Sequence, residues 1–132
     1  MIAVDTNIIV RLLTRDDEAQ FERALICFSF DDVLVTETVL LETEWVLRHA
    51  YGFDAVDINA AILKLAGLPN VALSDELRIL TALDWHDKGL DFADALHLAG
   101  CQAVRQMMTF DKAFIKGSTG LGRIEVTLPP TK

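Results

Sequence analysis

The chain is expected to fold as a single three-layer α/β/α domain, residues 1–132, around a central, mainly parallel sheet of four to five short strands. Two observations lead to this reading. Short apolar runs (Ile2–Val4, Val33–Val35, Val71–Leu73, Met107–Thr109 and Ile124–Leu128) alternate with longer segments of helical periodicity, which is the pattern of strands joined by right-handed helical crossovers. A chain of 132 residues that is 52% hydrophobic can also bury one core without disulfides or structural metal.

Taken in order, Ile2, Ala3 and Val4 read as a buried strand, cut off at once by Asp5, Thr6 and Asn7, residue types that favour turns and helix caps. A short helix follows from near Ile8 to Leu13. Thr14 to Asp17 form a turn and a cap, and Ala19, Phe21, Ala24, Leu25 and Phe28 carry the apolar stripe of a second helix that Asp31 and Asp32 close. After the strand Val33–Val35, a helix runs from Thr36 to about Ala50 and stops at Tyr51 and Gly52. Asp54 or Asp57 opens another that reaches Ala66, where Gly67 and Pro69 end it before the strand Val71–Leu73. Ser74 and Asp75 are read as caps of a helix to about Lys88. Gly89 breaks the chain, Asp91 is an N-cap, and Phe92 to about Arg105 is a strongly apolar helix. Asp111 to Ile115 is a turn of helix between the last two strands. There is no repeat, linker or low-complexity stretch.

Composition narrows the function classes. No basic stretch leads into an apolar one at the N-terminus, and no run approaches the about 18 apolar residues of a membrane span, so a cytoplasmic protein is expected. Cys27 and Cys101 lie far apart on apolar helical patterns and read as packing residues. A net charge of -8 argues against a protein that coats nucleic acid with a basic face. It leaves room for an enzyme whose acids gather at a bound divalent cation, which reverses the local field.

Most acids suit a solvated face or a cap, among them Asp16, Asp17, Glu18, Glu22, Asp31, Asp32, Asp84 and Asp87. Four stand apart. Asp5 and Asp111 each follow a strand, and ligands of open α/β sheets bind beyond the carboxyl ends of the strands; capping of the next helix, by Asp5 or by Thr6, is the competing role. Glu42 lies within VLLETEWVL and shares a helix face with Val39, Trp45 and Val46, which points it toward the protein, while Glu44, about 200° further round, is expected to face solvent. Asp94 lies within DFADALHLAG and either closes a capping box with Asp91 or belongs to a site. In a parallel sheet these four positions fall on one edge. Carboxylates gathered there repel unless protons or divalent metal are bound. Oxygen-only donors favour Mg²⁺ or Mn²⁺ over zinc, and metal-assisted hydrolysis of a phosphodiester is the chemistry such a set suits. His97 reads as a core residue that reaches at most the edge of the site, and His49 and His86 as surface groups. Trp45, Phe92, Phe110 and Phe114 read as core before they read as base-stacking platforms.

The segments VDTNIIVRLL, LLETEWVLR, DFADALHLA and MTFDKAF, in that order, resemble the four acidic blocks of the PIN-domain ribonucleases, and within them the VapC-type toxins of toxin-antitoxin pairs. The resemblance spans nearly the whole chain and implies a PIN-like fold. It implies that Asp5, Glu42, Asp94 and Asp111 form the catalytic, Mg²⁺- or Mn²⁺-binding set, with Thr6, Asn7 or Thr109 in support and Asp91 able to share a ligand role. It implies an RNA substrate, a homodimer and a small VapB-type antitoxin whose tail covers the active site; the acidity of the pocket makes a basic tail the expected form. Two other readings compete. A phosphoacceptor receiver domain wants paired acids after the first strand and an acceptor Asp after a middle strand, where this chain has only Asp5 and Ser74. A PIN scaffold that cuts nothing would not need an intact acid set.

Overall fold

The structure, a computed structural model, describes residues 1–132. Its elements are β1 (Ile2–Ala3), α1 (Thr6–Thr14), α2 (Glu18–Phe30), β2 (Val33–Val35), α3 (Glu37–His49), α4 (Ala55–Ala66), β3 (Val71–Leu73), α5 (Glu76–Asp87), α6 (Phe92–Ala99), β4 (Gln106–Met108), α7 (Lys112–Gly117) and β5 (Glu125–Thr127). They fall into two compact units, Met1–Glu76 and Leu77–Lys132. In the first, β1, β2 and β3 pair in that order and in parallel, with Ile2 opposite Val33 and Val33 opposite Val71. In the second, β4 and β5 pair in parallel, with Met107 opposite Val126. Strand and helix alternate as expected, and every ladder is parallel. The five strands hydrogen-bond as a three-stranded and a two-stranded sheet, because strands of two or three residues supply few ladder bonds and side-chain burial does most of the holding.

In the first unit that burial centres on Ile9, Val33, Val35, Leu40, Leu47, Ile58 and Ile62, all at 0% exposure, and in the second on Ile79, Leu83, Phe92 and Leu98. Each such side chain contributes about 1.5–3 kcal/mol on leaving water. The helix starts follow the capping residues: Asp17 accepts from Gln20 N–H at 3.1 Å and Asp54 from Asp57 N–H at 2.9 Å. Ser74 departs from its expected role. Its hydroxyl oxygen accepts from the Glu37 N–H at 3.0 Å, serving the start of α3, whose own cap residue Thr36 makes no side-chain cap bond.

Other expectations need correction. The helix after Asp91 ends at Ala99, not near Arg105. Arg78 Nε donates to the Leu96 carbonyl at 3.0 Å, closing the helix end, and the absence of a side chain at Gly100 leaves room for the Arg78 guanidinium, which a Cβ there would meet at 2.5 Å. On α2 only Ala24 and Phe28 of the expected stripe are buried, and Leu25 is exposed. His86 is buried beside the ring of Phe92, 5.3 Å between centroids, because the last turn of α5 packs inward. His97 is exposed rather than core. Cys27 and Cys101 are free and half-buried. No helix is long and apolar enough to cross a membrane.

The turn between α1 and α2 is tied down by a polar network. Asp16 accepts from the Tyr51 hydroxyl at 2.6 Å, the Thr14 hydroxyl at 2.9 Å and Arg11 Nη1 at 3.2 Å. The Tyr51 hydrogen bond, helped by Thr14 and Arg11, holds the Asp16 carboxyl below the ordinary aspartate range.

Candidate active site

In the first unit, the chain leaves β1 in extended conformation and Asp5 becomes the N-cap of α1, its Oδ1 accepting from the Asn7 N–H at 3.2 Å. Capping therefore occupies one oxygen. Oδ2 accepts no hydrogen bond from the protein, and the side chain is exposed. Thr6 is buried at 5% exposure, and its hydroxyl is a buried side-chain polar atom without a partner. Such an orphan is costly, and it sits one residue from Asp5.

On α3 the expected orientation of the two glutamates is inverted. Glu44 is buried at 1% exposure and Glu42 is exposed. The inward face is Leu40, Thr43, Glu44 and Leu47, a spacing of three, four and seven that fits one side of a helix. Trp45, read as core, is 55% exposed and lies against His49 with ring centroids 4.5 Å apart. Burial of Glu44 is possible because Arg48 one turn later clasps it with two hydrogen bonds, Nε at 2.8 Å and Nη2 at 3.1 Å. Glu42 has no hydrogen bond or ion pair and is open to a ligand from solvent.

In the second unit, Asp91 caps α6 by accepting from the Asp94 N–H at 3.3 Å. The return half of a capping box is not made: the Asp94 carboxylate accepts no hydrogen bond from the protein. It is half-buried, and burial first, then the neighbouring charges of Asp91 and Asp111, push its pKa above the ordinary aspartate value, with His97 pulling weakly the other way. Asp111 is the N-cap of α7. Its Oδ1 accepts from the N–H groups of Ala113 at 2.9 Å and Phe114 at 3.2 Å, leaving Oδ2 without a protein partner. The corner before it is rigid, with Thr109 N–H bonded to the Thr127 carbonyl at 2.9 Å and the Thr109 hydroxyl accepting from the Asp111 N–H at 3.0 Å. Phe110, read as core, projects from this corner 82% exposed, whereas Phe92 and Phe114 are buried as expected.

The PIN domain family matches residues 2–118. The chain belongs to the PIN domain family. Its likeness to a solved structure, the Sarcin-Ricin loop cleaving toxin VapC20 of Mycobacterium tuberculosis, is 22% in identity over 95% of this chain and 99% of that one, with a TM-score of 0.43. Comparison with curated protein sequences gives no match. PIN membership sets the receiver reading aside and supports a nuclease activity. Ser74, which follows β3 where a receiver places its acceptor, is in any case engaged by the Glu37 N–H.

The PIN domain's acids have the right donor chemistry for a hard cation. In the first unit Asp5 keeps one oxygen free and Glu42 both, and in the second Asp111 keeps one and Asp94 both, oxygen donors of the kind such a cation takes. No group of three or more His, Cys, Asp or Glu side chains is drawn together tightly enough to hold a metal ion.

Proposed function

We propose that this PIN domain, residues 1–132, is a Mg²⁺- or Mn²⁺-dependent endoribonuclease that acts as a VapC-type toxin, with Asp5, Glu42, Asp94 and Asp111 as its catalytic and metal-binding carboxylates. The observation that carries the reading is Asp94, a half-buried carboxylate with no hydrogen-bond donor, set against two further acids. In a fold that satisfies its other buried acid, Glu44, with a two-pronged arginine, a charge left in this condition has a role other than stability. A bound cation would supply an activated water and offset charge on the phosphodiester.

The chain's own residues divide the remaining work. Asp5 and Asp111 present their free oxygens from helix starts that fix their direction, through bonds to Asn7, Ala113 and Phe114. Asp91 sets the first turn of α6 and so the position of Asp94. Thr109 holds the backbone of Asp111, and Thr6 offers an unpaired hydroxyl beside Asp5. The protein is proposed to work in the cytoplasm as a homodimer.

Cleavage of a single-stranded RNA in the presence of Mn²⁺ is the direct test. Asp5→Asn and Glu42→Gln are each expected to lower the rate at least about 100-fold, the scale of losses at metal-site groups, with melting temperature unchanged. Full activity in either variant removes that residue from the set. The partner follows from charge: a VapB-type antitoxin is proposed to send a basic tail to these carboxylates. Its association rate should fall as salt rises, since steering is screened beyond about 8 Å at physiological ionic strength. A salt-independent rate measured by stopped flow contradicts the basic tail.

A further inference from the structure

Helices α1 and α2 line an open cavity of about 430 Å³ with Asn7, Arg11, Gln20 and Arg23 as its polar side chains and Ile8 and Cys27 among the less polar ones. Its lining holds two guanidinium groups and no acid, in a chain with 20 acidic residues against 12 Lys and Arg. Acids outnumber bases in the chain by nearly two to one, so this lining departs sharply from the rest of the surface.

The two arginines are in different states. Arg11 is fixed, with Nε bonded to Gln20 at 2.6 Å and Nη1 shared between Asp16 and the Tyr51 hydroxyl, which leaves Nη2 without a protein acceptor. Arg23 makes no hydrogen bond or ion pair and is exposed. Asn7, whose N–H is bonded to Asp5, also lines the cavity. Asn7 and Arg11 are one helical turn apart, about 6 Å along the axis. That separation is of the order of one nucleotide step.

We infer that this cavity is a binding subsite for the RNA strand, in which Arg23 and Arg11 hold the backbone phosphate next to the one that is cut. The inference rests on the nuclease reading for the identity of the strand. The chemistry is that of a forked guanidinium meeting phosphate oxygens, which arginine does better than lysine. A chain of net charge -8 repels RNA at long range, so local cationic donors, the unpaired Arg23 and the remaining Nη2 of Arg11, are needed to hold the strand. The half-buried Ile8 and Cys27 suit the sugar, and the amides of Asn7 and Gln20 offer both donors and acceptors to it.

The test is equilibrium binding of a fluorescent single-stranded RNA by anisotropy, without divalent metal so that nothing is cut. Wild type, Arg23→Ala, Arg23→Glu and, as a control of equal charge on α4, Lys64→Ala are compared at several salt concentrations. Arg23→Ala is expected to weaken binding about ten-fold and to flatten the slope of log affinity against log salt by about 0.7. Arg23→Glu should weaken it further, and Lys64→Ala should match wild type. Arg23 is exposed and makes no hydrogen bond or ion pair, so the melting temperature should not move. Equal binding by Arg23→Ala and Lys64→Ala overturns the subsite while leaving the nuclease reading to its own cleavage assay. Loss of binding to a labelled oligoglutamate peptide, with RNA binding intact, also overturns it and assigns the cavity to an acidic protein segment.

Discussion

Asp94→Asn protein is expected to lose RNA cleavage by about 100-fold or more and at the same time to melt at a higher temperature than the wild type. Loss of activity with gain of stability is an uncommon pairing, and it follows from the state of this one carboxylate. Asp94 accepts no hydrogen bond, is half-buried, and is repelled by Asp91 and Asp111. Asparagine is nearly the same shape and removes the repelled charge. The pH dependence has a definite sign. The folded-state pKa lies above the unfolded value of about 3.9, so the folded protein binds the proton more tightly. The stability tied to that proton is complete below the unfolded value and is lost as pH rises through the folded one. Wild type and variant should therefore melt together in acid and diverge as the pH moves toward neutrality. Mg²⁺ should raise the melting temperature of the wild type more than that of the variant, because only the wild type keeps the full ligand charge. A variant that melts below the wild type at pH 7 contradicts the picture of an uncompensated charge.

The second large effect concerns stability alone. Arg48→Met is expected to cost about 3 kcal/mol, a fall of about 10 °C in melting temperature for a chain of this length. The reason is the residue it abandons: Glu44, 1% exposed, whose only partner is Arg48. Glu44→Gln should cost less, about 1–2 kcal/mol, since Arg48 is 41% exposed and can turn to water. The double replacement Glu44→Met with Arg48→Met should recover most of the loss, because removing both charges leaves no desolvated ion. RNA cleavage should be unaffected in Glu44→Gln. Additive losses in the double variant, measured by thermal and urea unfolding, contradict a coupled pair.

The α3 pair also shows where reading the sequence stops. Val39, Trp45 and Val46 mark one apolar face, and Leu40 and Leu47 mark another; hydropathy alone favours the first, and the structure uses the second. The signal that decides it is the spacing of Glu44 and Arg48 by one turn, which is legible only once a buried ion pair is admitted. Caps were easier to read. Asp91 starts the helix expected of it, and of the alternatives the sequence leaves open, Asp17 caps α2 and Asp54 rather than Asp57 caps α4, since a short acid before an apolar period satisfies backbone donors that nothing else reaches. Cys101 and Val104 prolong the apolar pattern beyond α6, whereas Gly100 and the distant Arg78 end the helix. For Trp45 and Phe110, residue type suggested the core, yet neither has a facing element to cover it. The candidate acids were found by their place after strands and in apolar helices. Which of their oxygens are free depends on the backbone donors that the folded helix starts bring to them.

Asp5 and Asp111 each divide their two oxygens between tasks, one holding the first turn of a helix and the other facing outward. Asparagine keeps an oxygen that can accept the same backbone bonds, so a change of one nucleotide in an aspartate codon can disarm the protein without loosening the helix. Alanine removes both functions together and frays the helix start by about 1 kcal/mol. A lineage that carries this PIN domain therefore has a short evolutionary route to a folded descendant without the outward-facing carboxylate, and the step is reversible at the same codon.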